Sequence, residues 1–221
     1  MALLSRTIRK KIDVVVASLL FAGGAFSFVY AVKASVAQSM YKKAKYGFFA
    51  GHSGEIPKIS SAEEASSQAF DAAKLYPHNY YFPAYAAKLA LEEALDAAYK
   101  ASLPLEADEA QEAEDLYKSK IKKALHFSEM ALNINPYDAE SRMLYAHSLT
   151  ENGDVAEAIS FWETKVVERE FWNSQNHDVL VRLYLRASDP ESLNKAVREI
   201  PLVSDTELRK ELTELKKLIG R

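Results

Sequence analysis

Cysteine is absent from the 221 residues, which excludes disulfides, thiolate metal sites and a cysteine nucleophile together. Glycine and proline are scarce, seven of each, so the chain has little of the turn chemistry that a loop-rich or all-β fold demands. A basic surplus is missing as well. The 28 Lys and Arg against 31 Asp and Glu leave a net charge of −3, without the electrostatic footprint of a general nucleic-acid binder. No P-loop, GxSxG or Rossmann fingerprint occurs. The five histidines (His52, His78, His126, His147 and His177) never stand at i, i+4 spacing or beside paired carboxylates. The adjacent pairs Glu63-Glu64 and Glu92-Glu93 diverge by about 100° on a helix, too far to share one proton. The expectation is therefore a protein that is not an enzyme, with no cofactor, metal or small-molecule substrate.

What the chain does have is Ala, Leu, Glu and Lys in abundance, the residues that favour helix, so the expected fold class is all-α. The first object along it is an uncharged run of nineteen residues, VVVASLLFAGGAFSFVYAV from Val14 to Val32. On a helix rising about 1.5 Å per residue this matches the hydrocarbon thickness of a bilayer. A secretory signal has a shorter apolar stretch of about 7–15 residues, although Ser35-Val36-Ala37 has the outline of a cleavage site. The run reads as a single membrane anchor over 14–35, after a short basic tail (1–13). Four basic residues flank it on each side: Arg6, Arg9, Lys10 and Lys11 before, and Lys33, Lys42, Lys43 and Lys45 after. The first four are packed more closely, and long domains translocate largely regardless of charge. The expected location is a bacterial inner membrane, single-pass, with the bulk of the chain outside the cytoplasm. Gly23, Ser27, Ala31 and Ser35 recur every four residues, a stripe of small side chains against which a partner helix fits closely. Residues 36–59 read as a membrane-proximal segment rich in Tyr, Phe and Lys, ending in the linker GHSGEIPK.

From residue 60 onward the pattern is of helix hairpins. Ser60-Ser61-Ala62-Glu63-Glu64 has the spacing of a capping box. AAKLYPHNYYF (72–82) and ALNINPYDAES (131–141) end helices in the same way, with Ala72, Leu75 and Pro77 in one and Ala131, Ile134 and Pro136 in the other. Asn152-Gly153 makes a turn, and Asp154 with Glu157 has the spacing to cap the next helix. That helix carries Val155, Ala158, Ile159, Trp162 and Val166 on one face. Asp189-Pro190 starts another helix, and Ser204 with Glu207 the last, whose Leu208, Leu212, Leu215 and Ile219 form one stripe.

These units resemble the tetratricopeptide repeat, a helix-turn-helix of 34 residues. Tyr145-Ala146, Leu149, Gly153-Asp154 and Ala158 stand at its signature positions, as do Ala124, Ala131, Ile134 and Pro136 in the unit before, and Ala65, Ala72, Leu75 and Pro77 in the first. The resemblance covers roughly 61–200 and departs in two places. The two proline stops are 59 residues apart, which puts an extended hairpin at about 80–135, and Glu170 replaces proline 34 residues after Pro136. It implies a TPR-like α-solenoid over 60–203 with a capping helix at 204–221.

The resemblance further implies a partner-binding groove lined by Tyr81, Lys88 and Glu92 in one unit and Glu140, Met143, His147 and Glu151 in the next. The functional expectation is a membrane-anchored scaffold or adaptor that binds protein partners, an integral membrane protein among them, and supports assembly of a membrane-associated complex. The alternative is a permanent accessory subunit held through its transmembrane helix, and a remoter one is an enzyme whose site no motif reveals. The acidic run LEADEAQEAED (105–115) reads as a solvated helix start.

Overall fold

In the computed structural model the described residues are 2–47, 61–104 and 107–219; for 2–17 and 20 the description covers the backbone alone. Regular structure among them is entirely helical. The helices are α1 (Ala2–Tyr46), α2 (Ala62–Leu75), α3 (Tyr81–Ala101), α4 (Ala107–Ile134), α5 (Ala139–Asn152) and α6 (Val155–Phe161). A π-helical turn (Trp162–Val167) continues α6, and α7 (Ser174–Ala187), α8 (Pro190–Arg198) and α9 (Thr206–Ile219) complete the chain. It divides into two compact units, Met1–Pro77 and His78–Arg221.

The first unit is α1 with α2 packed against it. Nothing from Ser35 to Tyr46 is glycine or proline, and the helix continues through the stretch expected as a membrane-proximal segment. The linker GHSGEIPK lies outside the described residues. Ser61 caps α2, its hydroxyl accepting the Glu64 N–H at 3.1 Å, while the Glu64 carboxylate takes Lys43 Nζ of α1 at 2.6 Å. Ala65, Ala69, Ala72 and Ala73 are the buried face of α2, and α1 buries Ala37 and Ala44. Small side chains on both helices allow their backbones a short separation. The rings of Tyr30 and Tyr76 meet edge-on at 5.0 Å.

From Ser18 to Lys33 the described side chains of α1 are exposed. Leu19, Phe21, Phe26 and Phe28 are all exposed, Phe21 at 80%. Gly23, Ser27, Ala31 and Ser35 are exposed too, and nothing lies within 4 Å of where a Cβ on Gly23 would stand. Among the described residues of α1 the buried small ones are Ala37 and Ala44, outside that stripe. Among the described residues no helix is long and apolar enough to cross a membrane. Of the run 14–32, the side chains of 14–17 and 20 lie outside the described ones.

The second unit is a row of hairpins, α3–α4, α5–α6 and α7–α8, ended by α9. Alanines 84, 86, 87, 90, 94 and 97 of α3 are buried, as are Ile121, Ala124, Phe127 and Ala131 of α4, and Lys120 bridges to Glu93 at 2.6 Å. These two helices, of 21 and 28 residues, pack along one another. Asp138 caps α5, accepting the Ser141 N–H at 2.8 Å, and Gly153 ends it in the left-handed region at φ 92°. Asp154 differs from expectation. It precedes α6, but its carboxylate accepts the Asn152 side-chain amide at 2.5 Å and caps no backbone N–H.

The following π-turn carries an N–H from Glu168 to the Glu163 carbonyl at 3.2 Å. It sets Trp162 and Val166 in a core with Leu149, Leu180, Val181, Tyr184, Val203 and Leu212. Asp189 caps α8 ahead of Pro190, accepting the N–H groups of Glu191 and Ser192 at 3.0 Å each. At α9 the cap is Asp205, which accepts from the N–H groups of Glu207 and Leu208 at 2.9 and 3.1 Å. Ser204, the expected cap, donates its own N–H to Asp178 at 2.8 Å. Only Leu208 and Leu212 of the α9 stripe are fully buried, and Ile219 stands exposed.

Candidate partner-binding clefts

Side chains three and four apart on a helix share a face, so Lys88, Leu91, Glu92 and Leu95 form one edge of α3, and Glu140, Met143, Leu144 and His147 one edge of α5. The two edges enclose a cavity of about 410 Å³ lined by these eight residues. Its floor is aliphatic, and Lys88 faces Glu140 across the mouth at 3.7 Å, both well exposed. His147 sits against the edge of the Trp162 ring at 5.4 Å. Burial pushes its pKa below the ordinary histidine value, with the Glu151 charge opposing.

Five of the seven expected groove residues therefore line one cleft: Lys88, Glu92, Glu140, Met143 and His147. The other two stand apart. Tyr81, at the start of α3, is exposed, with its ring tilted against that of Tyr80 at 4.1 Å. Glu151 is engaged with α4, where the Tyr117 hydroxyl donates to its carbonyl at 2.8 Å and its carboxylate at 2.9 Å. Burial, then that hydrogen bond, pushes the Tyr117 pKa up to about 12. Leu91, Leu95 and Leu144 complete the cleft, and their helical spacing from Lys88 and Glu140 is the signal by which the sequence could have given them.

The opposite edge of α5 borders a second cavity, of about 340 Å³, that sequence reasoning missed. Its walls come from the end of α4 (Glu129, Leu132, Asn133), from Pro136, from Arg142 and Tyr145 of α5, and from Phe161, Lys165 and Arg169. Arg142 is only 6% exposed. Its Nη2 donates to Glu170 at 2.9 Å and its Nη1 to the Pro136 carbonyl at 3.4 Å, while its buried Nε meets no acceptor. Glu170 thus holds a buried cation. Arg169 lies 5.3 Å above the exposed Tyr137 ring.

Beyond Glu170, Phe171 and Trp172 are exposed, Trp172 at 70%, with their rings edge to face at 5.4 Å. His177 steadies that corner. Its Nε2 is 2.9 Å from the Phe171 carbonyl and its Nδ1 2.7 Å from Glu199. Among the described residues no three His, Asp or Glu side chains converge as a metal site would need.

Fold and clefts together define an all-helical protein of stacked hairpins, with a cavity on either side of α5. No family model matches the chain, and no curated protein matches it.

Proposed function

We propose that the protein is a membrane-anchored, tetratricopeptide-like adaptor that holds a protein partner in the cleft between α3 and α5 and supports assembly of a membrane-associated complex, without catalysing a reaction. The observation that carries this reading is the cleft itself. Five residues drawn from the repeat register come together around an aliphatic floor of Leu91, Leu95 and Leu144, with a charged pair at the mouth. Such a site supplies apolar anchoring area inside and charge register at the rim. The anchor rests on the uncharged run 14–32 within an unbroken helix and on the exposed Leu19, Phe21, Phe26 and Phe28.

A second reading has its own observation. The exposed stripe of Gly23, Ser27, Ala31 and Ser35 offers a face for another helix, which suits a permanent accessory subunit held through α1. Photo-crosslinking amino acids placed singly at Leu95 and at Ser27, in full-length protein in its native membranes, separate the two. The adaptor reading expects an adduct from Leu95 that is lost with Met143→Ala, His147→Ala and Lys88→Glu together, folding being checked by circular dichroism. Adducts from Ser27 alone would replace it with the subunit reading.

A further inference from the structure

We propose that the cavity bounded by α4, α5 and the π-turn is a second protein-binding site, taking an acidic peptide whose aromatic side chain enters the cavity and whose carboxylates meet Lys165 and Arg169. The proposal stands on residues separate from the α3–α5 cleft. Leu132, Tyr145 and Phe161 make the cavity apolar, and its volume of about 340 Å³ admits an aromatic side chain. Three cations stand in its wall against one acid, Glu129, on a chain whose net charge is −3. Glu170 neutralises Arg142. That leaves Lys165 and Arg169, both exposed and neither in a salt bridge among the described residues, as a local positive surplus.

The two faces of the segment 161–166 divide between core and cavity. Trp162 and Val166 face the core, while Phe161 and Lys165, each one residue earlier, line the cavity. The neighbouring Tyr137, Phe171 and Trp172 are exposed aromatics, and Tyr, Trp and Arg are the residues in which binding hot spots concentrate. The two cavities differ in sign: the α3–α5 cleft carries Lys88 against Glu92 and Glu140. An acidic ligand is favoured at one and disfavoured at the other.

The probe is a fluorescein-labelled peptide of repeated Asp-Glu-Phe-Glu, titrated into full-length protein in mild detergent and read by fluorescence anisotropy. Saturable binding is expected, falling at least tenfold for the repeated Asn-Gln-Phe-Gln peptide and for Lys165→Glu with Arg169→Glu. Both positions are exposed, so the fold tolerates the reversal. Met143→Ala with His147→Ala, in the other cleft, should leave this binding unchanged. Equal affinity of the charge-reversed variant, equal affinity of the amidated peptide, loss of binding in the Met143/His147 variant, or no saturable binding would each overturn the proposal.

Discussion

At the scale of single residues, the most consequential pair is Arg142 with Glu170. A buried ion pair adds little over an apolar pair of the same shape, yet breaking it strands a charge. Glu170→Ala is therefore expected to lower unfolding stability by about 3–5 kcal/mol. Arg142→Met with Glu170→Leu should recover most of that loss; urea titrations of the three proteins measure both. If Glu170→Ala melts like the native chain, the pair is not formed in solution. His147 gives a pH signature. Its folded-state pKa lies below the unfolded value near 6.5, so between the two the unfolded chain binds more protons and stability declines as pH falls. The contribution is whole above about pH 6.5. Melting temperatures taken from about pH 7.5 down to 5 should fall less steeply for His147→Gln than for the native protein. Parallel profiles would mean that the ring is not buried as described.

At the scale of elements, the close alanine contacts are the weak points for overpacking. Ala131 and Ala158 are both fully buried, and a tryptophan at either is expected to cost about 1–3 kcal/mol or more. Pro136→Ala should be milder, since Pro136 is exposed and the change only softens a stop signal; thermal melts rank the three. The helices and their breaks were legible because the signals are local. Pro77, Pro136, Gly153 and Asp189-Pro190 each act on the backbone within a few residues. Asp154 was misread because the side-chain amide of Asn152, only two residues away, competes for its carboxylate, and Ser204 because Asp178, brought near by tertiary position, takes its N–H. The π-turn was invisible for a related reason. One extra residue in a helical turn shifts the face by about 100°, yet the apolar spacing of Trp162 and Val166 reads as ordinary α-helix. Five residues lining the α3–α5 cleft are ones that the resemblance to a repeat singles out. The cavity beside the π-turn was not legible, since its wall draws on residues 129 to 169.

At the scale of the whole molecule, the sequence divided the chain at residue 60, whereas the first compact unit ends at Pro77. The alanine face of α2 resembles in composition that of α3, and only the packing reveals that it rests on α1. A fragment beginning at Ser61 deprives Ala65, Ala69, Ala72 and Ala73 of their cover on α1. Its α2 should exchange amide hydrogens rapidly, while a fragment from His78 to Arg221 should unfold in one cooperative, helical transition. Slow exchange in α2 of the shorter chain would contradict the division. If the anchor reading holds, full-length protein stays in the membrane pellet after alkaline carbonate, and uncleaved protein in the supernatant would end it.

The unbroken course of α1 makes it a crank as well as a rod. Its 45 residues extend about 68 Å without a glycine- or proline-induced break, so a rotation at one end is delivered to the other. The contact with α2, at Ala37 and Ala44, is locked in azimuth to the stripe that ends at Ser35; two residues at about 100° each set Ser35 and Ala37 about 160° apart around the axis. A helix seated along that stripe would therefore fix the direction in which α2 points. One alanine inserted after Val36 would turn α2 by about 100° about the axis, whereas seven would return it almost to its original heading while lengthening the shaft by about 10 Å.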